Sequence, residues 1–149
     1  MNITKKQLKY IIKEEINEMM DSSTKSGLDR LVNHEDPEMI MSGIEMASVL
    51  NMPIKMYNKP PREILKYIEH SKDSNLLTLM SDPENSKFVL FRVATNQNTP
   101  IDVIYKIATE QEYNIRASNL ARQSLKIYCD QHPDDKLCAD VDKILGYRN

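Results

Sequence analysis

The sequence predicts an all-α protein in which short helices pack as antiparallel pairs. Its composition favours helices, because it contains only three glycines, no tryptophan and 6% aromatic residues, whereas sheet-rich chains use more glycine turns and aromatic side chains. Apolar residues recur at helical spacing along most of the chain, and helix-start signals divide it at short intervals. With 149 residues, the chain is long enough to bury one substantial core.

The first predicted element is an N-terminal amphipathic helix over residues 1–20. Thr4 and Gln7 form a capping-box pattern at its start. Its lysines precede its glutamates, an order that opposes the helix dipole, so we expect this helix to be marginal alone. Its apolar stripe must therefore pack either on the rest of this chain or on a partner. We assign it to partner binding or self-association, with these expected contact residues: Leu8, Ile12, Ile16 and Met19.

The organisation after that helix is predicted to be a linker over residues 21–27 and a helical-repeat domain over residues 28–149. The linker is polar throughout and ends in glycine. Helix caps then follow one another along the domain. The expected helix starts are Ser26 with Asp29, Asp36-Pro37-Glu38, Pro60-Pro61-Arg62-Glu63, Asp73-Ser74, Asp82-Pro83-Glu84, Asn98-Thr99-Pro100, and Pro133 with Asp134 and Asp135. At the sixth of these starts, Asp102 is expected to complete a capping-box arrangement with Thr99.

The apolar residues after each start are predicted to form the core. Among them we place Phe88 and Phe91 after the fifth start, and Ile115 and Ile127 in the penultimate helix. The short run Val89-Leu90-Phe91 is the one stretch that resembles a strand, and the caps around it favour a helix. A dense group of methionines is expected either to fill the core or to line an adaptable groove: Met39, Met41, Met46, Met52 and Met56.

Weak internal repeats predict that the helix pairs stack as a small α-solenoid. The stretch from Leu31 to Ala47 parallels the stretch from Leu77 to Ala94, since each carries an Asp-Pro-Glu motif. Pro61 and the apolar residues after it parallel the stretch that follows the proline about 39 residues later, a period typical of helix-pair repeats.

The stretch from Leu76 to Gln123 resembles leucine-rich repeat variants, a HEAT-like α-solenoid family. The motifs that carry the resemblance are Leu76-Leu77, Asp82-Pro83, Val89 to Ala94, Asn96-Gln97-Asn98-Thr99-Pro100, Ile104, Ile107-Ala108 and Ile115-Arg116-Ala117. Gln97 departs from the proline of that pattern, and Leu90 departs from its arginine. The resemblance implies short helices alternating in a superhelix, and it does not indicate a function.

The opening segment, from Ile3 to Glu15, resembles a leader found on otherwise unrelated tailed-bacteriophage proteins. That resemblance implies a phage-encoded protein with an assembly or host-interaction role, located in the host cytoplasm or the virion.

The sequence lacks the residue patterns of the common catalytic and cofactor sites. Three scattered glycines cannot build a phosphate loop. Cys129, His132 and Cys138 are the nearest approach to a metal set, but they lack a fourth ligand and the tight cysteine spacing of zinc sites. We therefore expect no catalytic residue, no metal and no cofactor, and a protein that is not an enzyme.

The expected location is the cytoplasm. No run of about 18 apolar residues predicts a membrane span, and glutamates rather than an apolar stretch follow the first lysines, so no secretory signal is expected. Two cysteines are too few for a disulfide scaffold, so reduced thiols are the default, although a Cys129–Cys138 bridge stays open.

The predicted function is a non-enzymatic protein–protein interaction module. The alternative is nucleic-acid binding through the phosphate backbone, although the formal net charge of -2 gives no global signal for it. If a HEAT-like surface aligned them, six cations could follow phosphates, but a mixed solvated surface explains the same residues: Lys87, Arg92, Lys106, Arg116, Arg122 and Lys126.

Overall fold

The computed structural model describes residues 4–7, 9 and 22–145, and every regular element within those ranges is helical. The all-α prediction is therefore confirmed for this part of the chain. None of the helices described there is long and apolar enough to cross a membrane. The elements are α1 (Ser22–Val32), α2 (Pro37–Leu50), α3 (Arg62–His70), α4 (Ser74–Leu79), α5 (Lys87–Thr95), α6 (Ile101–Thr109), α7 (Ile115–Gln131), a short 3-10 helix (Lys136–Cys138) and α8 (Val141–Ile144).

The start of the N-terminal helix is described, and it has the predicted capping box. The Thr4 backbone N–H donates to Gln7 Oε1 at 3.1 Å, and the Gln7 N–H donates to Thr4 Oγ1 at 3.1 Å. One turn later, Lys9 Nζ lies 2.9 Å from Glu45 Oε2 of α2, so this end of the helix lies against α2. The proposed docking residues, Leu8, Ile12, Ile16 and Met19, lie outside the described residues, and their role stays a prediction.

Two of the predicted caps are confirmed because their carboxylates bond within the next turn. Asp36 accepts a hydrogen bond from the Glu38 N–H at 3.0 Å, and Pro37 is the first residue of α2. Asp73 accepts from the Leu76 N–H at 3.1 Å at the start of α4. Both residues satisfy backbone donors that have no partner inside the helix.

Three other helix starts differ from the sequence prediction. α1 begins at Ser22, so residues 22–27 are helical rather than a linker. Asp82 accepts from the Glu84 N–H at 2.9 Å in a turn, and α5 begins only at Lys87. Thr99 forms no capping box, because its hydroxyl donates to the Val93 carbonyl at 2.7 Å.

The C-terminal end of the domain is also more broken than predicted. The expected last helix is divided into the 3-10 helix Lys136–Cys138 and the single turn of α8. Asp135 caps the first of these by accepting from the Leu137 N–H at 3.0 Å.

One continuous apolar core runs through the described helices. Its largest fully buried side chains are Ile40, Ile44, Ile54, Met56, Ile64, Ile68, Leu76, Leu77, Met80, Leu90, Ile107 and Leu125. Two predicted core residues are not part of it: Ile115 is 76% exposed and Ile127 is 61% exposed. Met56 is fully buried, as the core-filling prediction requires, and Met41 packs against the core, whereas a binding role for the methionines stays a prediction.

Two asparagines hold the extended segment between α2 and α3. Asn85 accepts from the Met56 N–H at 2.6 Å and donates to the Ile54 carbonyl at 2.7 Å. Asn33 bonds two other peptide groups of the same segment. Its side chain donates to the Lys55 carbonyl at 2.9 Å and accepts from the Tyr57 N–H at 2.8 Å. These bonds satisfy backbone groups that lie outside any helix, and they fix the extended segment that leads to α3.

Candidate binding groove

A concavity of the described surface lies between α3, α5 and α7. Its volume is about 760 Å³, and one wall is the asparagine-held segment where it reaches Lys59 and the two prolines before α3. We call it the cationic groove. The side chains that define it are Lys59, Arg62, Phe88, Phe91, Arg92 and Arg116.

The local sequence explains why α5 contributes three of these side chains. Phe88, Phe91 and Arg92 are spaced i, i+3 and i+4, so they share one face of the helix. The opposite face carries Val89 and Val93, which are fully buried in the core. The two phenylalanines are only partly buried, and Phe91 packs against the core.

The other walls are set by helix starts. Pro60 and Pro61 fix an extended approach, and Arg62 is the first residue of α3. Leu65, one turn later, is buried at the base of the groove. Arg116 and Leu120 are four residues apart near the start of α7, so they also share a face.

Three cations lie over the two aromatic rings. Lys59 Nζ is 4.9 Å from the centroid of Phe88, and Lys87 Nζ is 5.3 Å from the same centroid. Arg116 Cζ is 5.7 Å from the centroid of Phe91. Cation–π attraction holds these exposed side chains at the rim of the groove, so the positive charge is concentrated there.

These cations have no ion-pair partner within the part of the chain that the structure describes. The Lys and Glu pairs found there lie elsewhere, at Lys9–Glu45 and Lys55–Glu84. Glu69 is the one carboxylate in the described lining, and its Oε2 is 3.9 Å from His70 Nε2. A rim of unpaired cations therefore surrounds a partly apolar floor, on a chain whose formal net charge is -2.

Arg92 has a polar atom with an unmet hydrogen bond. Its Nε is shielded from solvent, and no acceptor among the described residues lies within hydrogen-bonding distance. A desolvated donor without an acceptor costs roughly 1–3 kcal/mol.

The structure brings half of the predicted phosphate-binding residues together. Arg92 and Arg116 line the groove, and Lys87 lies over the ring of Phe88, which also lines it. The other three do not line the groove: Lys106 lies on α6, Lys126 lies further along α7, and Arg122 Nε donates to the Ala108 carbonyl at 3.0 Å.

Sequence reasoning missed Lys59, Arg62, Phe88 and Phe91 as groove residues. One signal was present, since the only two phenylalanines of the chain lie three residues apart and are followed directly by Arg92. The contribution of Lys59 and Arg62 depends on a long-range packing that no local pattern shows.

A second concavity, of about 650 Å³, lies on α2 and α3. It is lined by Met41, Met46 and Tyr67, and Lys5 and Lys9 of the N-terminal helix reach its edge. Three glutamates of the described surface also line it, Glu38, Glu45 and Glu63, and Glu45 is paired with Lys9. The described start of the N-terminal helix therefore lies at this concavity.

The C-terminal cysteines are joined, which was the alternative left open by the sequence. The Cys129–Cys138 disulfide connects α7 to the 3-10 helix. His132, between them, stacks on Tyr128 with ring centroids 4.3 Å apart. Because both sulfurs are bonded to each other, the three residues do not form a thiolate metal site, and no other metal-binding cluster occurs among the described residues.

Comparison with models of protein families, with curated proteins and with solved structures gives no match. The resemblances to leucine-rich repeat variants and to the phage leader therefore stay predictions.

Proposed function

We propose that this chain is a non-enzymatic protein-interaction module whose cationic groove takes an acidic segment of a partner protein. The observation that carries the proposal is the rim of unpaired cations around a partly apolar floor. An acidic segment would neutralise the rim, and its apolar side chains would cover Leu65 and Leu120. Complementary charge of this kind steers association and selects among partners.

The groove suits binding better than catalysis. Its described lining contains one carboxylate, Glu69, and no histidine or cysteine. General acid–base chemistry uses positioned groups of those types. Its walls come instead from three helices and a segment held by asparagine, which is the preorganised surface that recognition requires.

The finer architecture that fits this role is a small α-solenoid of stacked helix pairs. Long-range side-chain bonds support it: Asn96 donates to the Ile68 and Ser71 carbonyls at 2.9 Å, and Tyr113 donates to the Ser81 carbonyl at 2.5 Å. The bonds of Asn96 join the end of α5 to the end of α3, and the bond of Tyr113 joins the loop before α7 to the chain just after α4. Stacks of this type present extended surfaces to their partners, and a phage assembly or host-interaction role is one setting for such a surface.

A peptide-display selection tests the proposal without a known partner. The full chain is immobilised, a random peptide library is selected on it, and the retained sequences are read out. We expect enrichment of peptides that combine Asp or Glu with Leu, Ile or Phe. A selection that enriches no acidic motif would overturn the proposal.

Two variants of equal charge change make the selection specific to the groove. Lys59→Glu with Arg116→Glu reverses two exposed rim cations, and we expect it to lose the acidic motif. Lys25→Glu with Lys106→Glu makes the same charge change at exposed positions outside the groove lining, and it should keep the motif. Equal losses in both variants would show that net charge, and not the groove, retains the peptides.

Nucleic-acid binding is the second candidate, favoured by the position of Lys87, Arg92 and Arg116 at or beside the groove. Its support is weaker because the phenylalanine rings already carry cations, whereas single-strand grooves use free aromatic faces for base stacking. A labelled oligonucleotide of about 15 nucleotides tests it by fluorescence anisotropy. An affinity that falls steeply with salt and is lost in the variant Lys59→Glu with Arg116→Glu would favour this candidate over the first.

A further inference from the structure

We propose that the cationic groove contains a phosphoryl subsite, formed by Arg62, Arg92 and Arg116, so that the segment it takes is a phosphorylated peptide. This inference rests on the proposed function and names the chemistry of the ligand. The three arginines come from the starts of α3 and α7 and from the last turn of α5. They are therefore held by three separate helices around one concavity.

The guanidinium groups are available to a ligand. No ion pair or hydrogen bond within the described part of the chain engages any of the three, apart from the contact of Arg116 with the Phe91 ring. Each guanidinium presents planar N–H donors that match the oxygens of a phosphate in pairs. The Nε of Arg92 is shielded from solvent and has no acceptor among the described residues.

The number of cations favours a phosphoryl group over a single carboxylate. Three arginines are joined at the rim by Lys59 and Lys87. A phosphoserine carries a charge of about −1.5 to −2 and three acceptor oxygens, so it would neutralise more of this positive charge than a single carboxylate. The first turn of α3 adds the positive end of a helix dipole, and no side chain caps it.

The phosphoryl group could belong to a peptide or to a nucleic-acid backbone, and the groove favours the peptide. A backbone needs cations along a track, but Lys106 and Arg122 do not line the groove. The floor at Leu65 and Leu120 is apolar and suits the side chains beside a phosphorylated residue. Arginine clusters that read phosphorylated peptides are a recurring recognition mode.

The test uses three degenerate peptide pools with the full chain. The pools have phosphoserine, glutamate or serine fixed at the centre, with random flanking positions, and binding is measured by isothermal titration calorimetry. We expect the phosphoserine pool to bind about tenfold more tightly than the glutamate pool, a difference typical of one charge-assisted bidentate contact. Inorganic phosphate and an oligonucleotide are titrated beside them.

An Arg92→Lys variant separates arginine recognition from charge. It keeps the positive charge but removes the Nε donor and the planar fork, so the preference for phosphoserine over glutamate should fall below about threefold. In the unaltered chain, the Arg92 Nε–H signal in nitrogen–proton NMR should shift with the phosphoserine pool, and Arg92→Lys identifies that signal by its loss.

Each contrary outcome has a distinct meaning. Equal binding of the glutamate and phosphoserine pools would overturn the phosphoryl subsite and leave the acidic-peptide function standing. Inorganic phosphate that binds as tightly as the pool would show an anion site without peptide recognition. Tighter binding of the oligonucleotide, lost in Arg92→Lys, would assign the site to nucleic acid and overturn both proposals.

Discussion

Two glycines in neighbouring helices should respond oppositely to alanine. At Gly43 of α2, an added Cβ would lie 2.8 Å from Leu31 Cβ and 2.9 Å from Val32 Cγ1 of α1. At Gly27 of α1, it would meet nothing within 4 Å. Alanine in a helix interior gains roughly 0.5–1 kcal/mol over glycine. Gly27→Ala should therefore raise the free energy of unfolding by up to that amount.

At Gly43 the helix gain competes with overpacking. Carbon atoms pack best at about 3.5–4.0 Å, so α1 and α2 would have to separate by roughly 0.7 Å or more to relieve the contacts. Overpacking of a well-packed site costs about 1–3 kcal/mol, so Gly43→Ala should lose a net ~1–2 kcal/mol. Urea unfolding followed by circular dichroism measures both variants. A Gly43→Ala protein as stable as Gly27→Ala would refute the close packing of α1 on α2.

Three further changes test other parts of the described structure. Asn85→Leu should lower the free energy of unfolding, measured in urea, by roughly 3 kcal/mol, because it leaves three buried backbone groups without partners. A loss below about 1 kcal/mol would contradict the role of Asn85 in holding the segment before α3. Cys138→Ser should lower the free energy of unfolding by about 2–3 kcal/mol, because it opens the loop that the disulfide closes. Dithiothreitol should lower the melting temperature of the unaltered chain but not that of the variant. No effect of the reductant on the unaltered chain would argue against the disulfide. Burial, followed by the charge of Glu110, raises the pKa of Tyr113 above its ordinary value, so its stabilising contribution is complete below about pH 10 and is lost as the pH rises further. Tyr113→Phe should lack that alkaline loss, and equal slopes above pH 10 in both proteins would contradict the assignment.

Local features of the fold were predictable because their causes are local. The capping bonds of Asp36 and Asp73 span two and three residues, so the sequence around each residue contains the whole interaction. Asp82 shows the limit of that reasoning, because its motif matches that of Asp36 but it closes a turn. The difference comes from Asn85, which bonds to a segment about 30 residues earlier and keeps the chain out of a helix there.

The cationic groove could be predicted only in part, because its residues come from distant segments. Arg92 and Arg116 were named as phosphate-binding residues only under the alternative function, and what brings Lys59 beside them is the asparagine-held segment before α3. Phe88 and Phe91 were assigned to the core because α5 is apolar on most of its surface. The packing of α5 on α3 and α7 decides which face is buried.

The central claim is that the cationic groove binds acidic protein segments, and an NMR titration of the full chain tests it most directly. The titrant is a degenerate peptide pool rich in Asp, Glu and Leu, and the measurement is the set of backbone amide shifts. We expect the largest shifts to cluster at the start of α3, along the exposed face of α5 and at the start of α7, and we expect Lys59→Glu with Arg116→Glu to abolish them. Shifts confined to α2 and the N-terminal helix, or shifts unchanged in that variant, would contradict the account.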